Sequence, residues 1–205
     1  MKMGKTLFTF GVVLLVAFLF GCNLNEKDER IKGNGDVISQ ERTANNFNAV
    51  ILDGVGNVNV HPSDNYKVVV TTDSNIQDYI VVEINGNNLF IDKTKPNVNF
   101  ETKKLIIDVY LPELKSISLN GAGNFQINNG NASELDISLS GAGNIDAQDF
   151  QVQNVSIRFS GAGNAKIWAT NTLNGSFSGS GNILYKGSPT INVNITSIAG
   201  NINPL

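Results

Sequence analysis

The sequence predicts an all-β protein built as a solenoid, because one short segment recurs at a constant spacing of about 20 residues. The segments "SISLNGAGNF", "DISLSGAGNI" and "SIRFSGAGNA" begin at residues 116, 136 and 156. Stacked coils must keep a constant length to keep their register, whereas the strands of an ordinary sheet vary in length. The chain also has 20 glycines and only 5 prolines, which is typical of short strands joined by tight turns.

Each copy alternates apolar and polar residues with a period of two, which indicates a strand with one buried face. Equivalent apolar positions hold similar residues in the three copies: Ile117, Ile137 and Ile157, then Leu119, Leu139 and Phe159. After the glycines, the polar positions are Gln126, Asp146 and Lys166. We expect the apolar side chains to point inward and the polar ones outward.

An antiparallel meander is the alternative architecture, in which each GAGN segment would close a hairpin. Hairpin turns also favour Gly and Asn, because their backbones need positive φ angles. The constant spacing favours the solenoid. Weaker copies begin at Ala49, Phe177 and Ser197, and the strands between Ala49 and Gly121 lengthen, as expected where a solenoid is capped.

The asparagine that ends each GAGN segment suggests a structural role. In stacked coils, four of these residues would stand above one another at a corner: Asn124, Asn144, Asn164 and Asn182. Each side-chain amide can donate a hydrogen bond to one neighbour and accept one from another. Losing one member of a buried ladder would leave its partners unpaired, at about 1–3 kcal/mol. We interpret these asparagines as turn-stabilising and not as ligand-binding.

The amino terminus predicts export. Lys2 and Lys5 precede the uncharged run "LFTFGVVLLVAFLFG", which is short for a membrane span and suits a signal peptide over residues 1–21. The run ends in "LFGC", and Cys22 is the only cysteine of the chain. This junction resembles the lipobox of bacterial lipoproteins, which implies cleavage before Cys22 and its lipidation. A secretory signal with an incidental cysteine is the alternative.

Residues 22–36 are polar and charged, and we expect them to form the lipidated N-terminus and a flexible tether. A single β-solenoid domain is predicted over residues 37–205. Three acidic residues close behind Cys22 resemble the export signal of surface-exposed lipoproteins in Bacteroidetes: Glu26, Asp28 and Glu29. A charged linker explains the same residues.

An ordered series of motifs gives the chain a family resemblance. "FNAVILDGVGNVNV", then "NNLFID", then "LPELKSISLNGAGN" lead into the GAGN copies. The series resembles the head domain of the putative auto-transporter adhesins, a family common among Bacteroidetes lipoproteins, over about Val37 to Asn201. The resemblance implies a right-handed parallel β-helix-like fold and a location in the cell envelope. It brings no catalytic or binding residues. Ile198, in place of a glycine in the last copy, and the shortened step of 18 residues to the copy at Phe177 depart from the pattern.

Catalytic and metal-binding residues are not predicted. Asp136 and Arg158 share one outward face, but one acid does not make the two-carboxylate site of a polysaccharide-cleaving enzyme. His61 precedes Pro62 and is interpreted as a turn residue. Trp168 follows the inward-pointing Ile167, so we expect it to face outward as a possible glycan contact. The net charge of −3, without a basic run in the mature region, argues against nucleic acid as a partner.

The sequence therefore predicts a non-enzymatic outer-membrane lipoprotein that acts as an adhesin or binding module. Its expected partners are the membrane, through the lipid anchor, and a glycan or an envelope or host protein. No cofactor is expected. One alternative is a periplasm-facing structural or signalling-associated lipoprotein. A third hypothesis is a polysaccharide lyase or hydrolase on a β-helix.

Overall fold

The computed structural model describes residues 29–95, 97–197 and 199–205. The signal peptide predicted over residues 1–21 and the predicted lipidation site, Cys22, lie outside the described residues. Residues 29–32 of the segment predicted as a tether form a strand. Among the described residues, no helix has the length and apolar character needed to cross a membrane.

The regular secondary structure of the described chain is all strand, apart from one turn of 3-10 helix at Gln77–Tyr79. The strands are β1 (Glu29–Lys32), β2 (Val37–Arg42), β3 (Ala49–Leu52), β4 (Val55–Pro62), β5 (Lys67–Asp73), β6 (Ile80–Asn85), β7 (Asn88–Lys93), β8 (Val98–Glu101), β9 (Ile106–Leu111), β10 (Ser116–Leu119), β11 (Ala122–Ile127), β12 (Gly130–Leu139), β13 (Ala142–Phe159), β14 (Ala162–Phe177), β15 (Ser180–Lys186), β16 (Thr190–Ile195) and β17 (Gly200–Pro204).

Fifteen of these strands form one sheet, in the order β2-β5-β9-β4-β11-β13-β12-β10-β3-β7-β6. β14 pairs with β13, and β15, β16 and β17 extend the sheet beyond β14. The 18-residue strand β13 pairs with β11 through its first part and with β12 through its second. The sheet therefore folds back on itself and encloses one hydrophobic core, whose buried residues extend from Ala44 to Ile183.

The predicted right-handed parallel β-helix-like solenoid with coils of about 20 residues is wrong. The sheet is a nearly closed barrel of mixed strand orientation, because β5 pairs antiparallel with β2 and β9, and β6 pairs antiparallel with β7. Strand length is not constant either, ranging from 4 residues in β3 to 18 in β13. A constant spacing determines only which residues lie side by side where the repeat holds. It does not determine how segments outside the repeat close the sheet.

The antiparallel meander is not observed for the repeated segments. These segments pair in parallel and in register, with Ile117 beside Ile137, and Ile137 beside Ile157. The GAGN segments therefore do not close hairpins between successive antiparallel strands.

The predicted alternation of inward and outward residues is confirmed by burial. Ile117, Ile137 and Ile157 are at most 2% exposed, as are Leu119 and Leu139. Full burial of such side chains contributes about 1.5–3 kcal/mol each. The same column contains a ring pair, Phe159 and Phe177, whose centroids lie 4.6 Å apart. The core is thus a stack of equivalent apolar positions.

The second glycine of each GAGN segment is required by the close approach of neighbouring strands. Gly143 has a φ of +149° and lies beside Gly123. A Cβ at Gly143 would overlap the carbonyl oxygen of Gly123. Glycine both tolerates this φ and leaves room for the neighbouring backbone.

We expect Gly143→Ala to lower the free energy of unfolding by about 3 kcal/mol or more, because backbone strain adds to the overlap with Gly123. Gly86→Ala is the matched control. Gly86 also has a positive φ, +60°, but no atom lies within 4 Å of the Cβ it would gain, so only about 1–2 kcal/mol should be lost. Urea unfolding of both variants measures the difference. Equal losses would show that the close approach is not what requires glycine.

Candidate binding face

The outward side chains of β9, β4, β11 and β15 and of the first parts of β13 (Ala142–Ala147) and β14 (Ala162–Trp168) form a continuous surface, which we call the polar face. Parallel register aligns equivalent residues across these strands, so the surface consists of rows that run from strand to strand. Adjacent strands lie about 4.8 Å apart, which sets the spacing within each row.

The first row is an asparagine ladder, formed by Asn57, Asn124, Asn144, Asn164 and Asn182. Asn144 Nδ2 donates to Asn124 Oδ1 at 3.0 Å, and Asn164 Nδ2 donates to Asn144 Oδ1 at 3.1 Å. The backbone N–H of Asn144 donates to the same Asn124 oxygen. Asn182 and Asn57 extend the ladder through Asn164 and Asn124.

The ladder lies at the surface, because Asn57, Asn124 and Asn144 are exposed and Asn164 and Asn182 are half-buried. Water can therefore replace a lost partner. Each bond then contributes about 0.5–1.5 kcal/mol, the net value for an ordinary hydrogen bond, and not the larger penalty for a buried unpaired group.

The second row contains two acidic groups, and both have partners. Asp146 Oδ2 lies 3.5 Å from Lys166 Nζ, and Asp146 Oδ1 accepts from the Gln148 N–H. Asp108 Oδ1 accepts from Asn59 Nδ2 at 2.9 Å. Each carboxylate of this row therefore has a nearby hydrogen-bond or ion-pair partner.

His61 lies in β4 and not in a turn, in contrast to the interpretation from the sequence. Its Nε2 is 3.0 Å from Asp108 Oδ1, and its Nδ1 is 2.8 Å from Asn128 Nδ2. An amide NH₂ group only donates, so Nδ1 accepts and Nε2 carries the hydrogen donated to Asp108. The imidazole stacks on the Tyr110 ring at 4.4 Å between centroids. Both ring nitrogens of His61 are occupied.

Trp168 lies on the same face, about three strand spacings or roughly 14 Å from His61. Its side chain is half-buried, and Lys186 Nζ lies 3.9 Å from the centre of its ring. Such a cation over an indole is worth about 0.5–1 kcal/mol at an exposed site. His61 and Trp168 thus each lie four residues beyond an asparagine of the ladder, Asn57 and Asn164, on the same strands.

The opposite outward surface does not bring a catalytic pair together. Asp136 lies beside Ser156, whereas Arg158 lies beside Ser138 and forms no ion pair with Asp136. Across the described part of the chain, no three His, Cys, Asp or Glu side chains are grouped to hold a metal.

A cavity of about 690 Å³ lies at one end of the molecule, between β1, β8 and the end of β5. Its buried carboxylate is Asp73, which is 4% exposed. Asp73 Oδ1 accepts from Gly35 N–H at 2.6 Å, and Oδ2 accepts from Thr102 Oγ1 at 2.5 Å. The carboxylate therefore joins the small β1–β8 sheet to the main sheet. The hydrogen bonds from Thr102 and then Gly35 hold the pKa of Asp73 below its usual value.

Sequence reasoning identified four members of the ladder but missed Asn57 and the cluster around His61. Asn57 could have been predicted from the sequence, because the copy that begins at Ala49 aligns it with Asn124. The positions of Asp108 and Tyr110 beside His61 could not, because β9 lies outside the repeat.

The fold and this face define an all-β protein with an extended polar surface. A family model described as "Putative auto-transporter adhesin, head GIN domain" matches residues 46–129 and 127–189. The chain belongs to this family, and the resemblance read from the sequence is confirmed. The family implies association with the cell surface or envelope.

A solved structure supports the fold. A putative adhesin from Bacteroides fragilis is 22% identical, with a TM-score of 0.56 over 85% of this chain and 100% of the other. At this identity the likeness concerns the fold alone. A putative adhesin from Parabacteroides distasonis is 19% identical, with a TM-score of 0.45 over 86% of this chain and 100% of the other. No curated protein sequence matches the chain.

We expect the stability contributed by Asp73 to depend on pH. Because its pKa is lowered on folding, the contribution is present above the unfolded value of about 3.9 and is lost as pH falls through the folded value. Asp73→Asn should therefore be less stable than the wild type at pH 7, and the gap should narrow below about pH 4.

Urea unfolding of the wild type and Asp73→Asn between pH 7 and pH 2.5 measures this gap. Thr102→Val is the companion variant, because it removes the largest cause of the lowered pKa while leaving the carboxylate. Between pH 7 and pH 2.5, the free energy of unfolding of Thr102→Val should fall by less than that of the wild type. A gap that stays constant with pH would contradict the assignment.

Proposed function

We propose that this protein is a lipid-anchored, non-enzymatic adhesin of the bacterial outer membrane that binds a neutral glycan through its polar face. The observation that carries the proposal is the composition of that face. It presents a ladder of side-chain amides and, four residues further along the strands than Asn57 and Asn164, the aromatic groups His61–Tyr110 and Trp168. Amides both donate to and accept from hydroxyl groups, and aromatic rings offer flat apolar surface to the faces of sugar rings.

The charge on the face favours a neutral ligand over a polyanion. Asp146 is paired with Lys166, and Asp108 accepts hydrogen bonds from Asn59 and His61. An anionic polymer would have to displace these partners and would gain little long-range attraction. A neutral saccharide exchanges hydrogen bonds with the amides and leaves the pairs intact.

The same contacts argue against hydrolysis or proton transfer on this face. A general base needs a free atom within reach of the proton it removes. Both nitrogens of His61 already have partners, and the carboxylates of this face, Asp108 and Asp146, each have a hydrogen-bond or ion-pair partner. Binding without catalysis is the activity that fits these side chains.

The proposed anchor is Cys22, which would become the amino terminus after cleavage. One acyl chain binds a membrane only marginally, so stable attachment requires more than one chain on this residue. The tether would then hold the polar face at a distance from the bilayer.

We expect Cys22→Ala to release the protein from the membrane fraction, because the cysteine supplies the only thiol for lipidation. Fractionation and immunoblotting of cells that express each form measure the change. A Cys22→Ala protein that stays in the membrane fraction would overturn the lipid anchor.

Antibody labelling of intact and permeabilised cells tests the exposure that adhesion requires. Labelling of intact cells supports an adhesin. Labelling only after permeabilisation would overturn it in favour of a structural or signalling-associated lipoprotein that faces the periplasm.

We expect Trp168→Ala to weaken glycan binding about five- to tenfold, because loss of one stacking contact costs about 1–1.5 kcal/mol. Arg158→Ala is the control, since Arg158 is exposed on the opposite surface. A neutral-glycan array followed by calorimetry on the best ligand measures both. Equal binding by the two variants would contradict a role for the polar face in recognition. Binding to protein ligands alone would show that the partner is a protein and not a glycan.

A further inference from the structure

The large apolar side chains that the described chain exposes lie on strands at the edges of the sheet. Val37 is in β2 and Ile84 in β6, which are the two edge strands at one end of the molecule. Ile191 and Ile195 are in β16, and Leu205 follows β17, at the other end. Ile191 and Ile195 are 40% and 48% exposed, although they continue the core positions of Leu173 and Phe177. The core is therefore open at the β16 end.

The edges differ in how they are protected against pairing. Charged residues and prolines on an edge strand discourage another strand from adding to it. β2 carries Glu41 and Arg42, β6 carries Glu83, and β17 contains Pro204. β16, with the sequence "TINVNI", has neither a charge nor a proline.

The backbone of β16 is available on its open side. Among the strands of residues 29–205 that the structure describes, β16 pairs with β14 alone, and Thr196 N–H donates to Phe177 O. Backbone groups alternate in direction along a strand, so those of Ile191, Val193 and Ile195 point away from β14. This edge therefore presents the backbone donors and acceptors of these three residues. Beside them lies an apolar strip, formed by the side chains of Ile191, Val193 and Ile195.

We propose that β16 pairs with β16 of a second copy of this chain, antiparallel, about a two-fold axis at Val193. In that register Val193 lies opposite Val193, and Ile191 lies opposite Ile195 of the other copy. The apolar strip then covers itself, while Asn192 lies opposite Asn194 on the outward surface. Strand addition of this kind joins main-chain groups along a free edge.

A second copy fits this edge because the strand is complementary to itself. A two-fold contact uses the same surface on both partners, and the "INVNI" pattern reads the same in both directions. The charged edges at the opposite end prevent further addition, so the assembly closes as a dimer. The polar faces of both copies remain uncovered, and the dimer is independent of the proposed ligand.

Residues 29–205 contain every described strand and the whole core, so this segment is suitable for the test. Sedimentation equilibrium should show a dimer for the wild type. Ile195→Lys should raise the dissociation constant at least about tenfold, because it places a charge in the apolar strip. Ile84→Lys, the matched change at the other end, should leave the dimer intact. A monomeric wild type, an assembly larger than a dimer, or loss of the dimer only in Ile84→Lys would overturn the proposal.

The register is tested with cysteines, since residues 29–205 contain none. Asn192→Cys chains mixed with Asn194→Cys chains should form an intermolecular disulfide on oxidation. The two positions face each other in a non-hydrogen-bonded pair, where Cα atoms lie about 4.5 Å apart, within the range of a disulfide. Each variant alone should cross-link far less. Equal cross-linking of single variants and mixture would overturn the register, and circular dichroism shows that each variant is folded.

Discussion

Parallel pairing of the repeated segments in one register is the constraint on which the rest of the structure depends. It places Gly143 beside Gly123 and Gly163, where neighbouring backbones approach too closely for any side chain. It also places each aliphatic residue beside an equivalent one. A slip of one residue would turn every buried aliphatic toward water and every polar residue toward the core. The register is therefore set by both the glycines and the apolar column.

The same register produces the surface. Because equivalent residues lie side by side, a single asparagine per repeat becomes a ladder, and single polar residues become rows. Parallel strands about 4.8 Å apart bring side-chain amides within hydrogen-bond distance without further adjustment. The polar face is thus a direct consequence of the pairing.

The two ends of the sheet differ in how their edges are protected. At one end, antiparallel strands and charged residues protect the edges, and the Asp73 carboxylate joins the β1–β8 pair to the main sheet. At the other end, the core columns reach β16 with side chains still exposed. The repeat gives each internal strand two neighbours, whereas β16 has β14 alone among the described strands.

The sequence by itself determined the all-β class, the family, the inward positions of residues such as Ile137 and Leu139, and the four asparagines of the predicted ladder. These follow from period-two alternation and from constant spacing, which are local properties. The tertiary structure alone decided that the sheet is mixed and nearly closed, since antiparallel pairing of β5 and β6 depends on segments without the repeat. It also decided that His61 meets Asp108 and Tyr110, because residues 47 and 49 positions apart become neighbours only when β9 pairs with β4. Contacts of that kind depend on how the sheet closes, which no spacing within the repeat records.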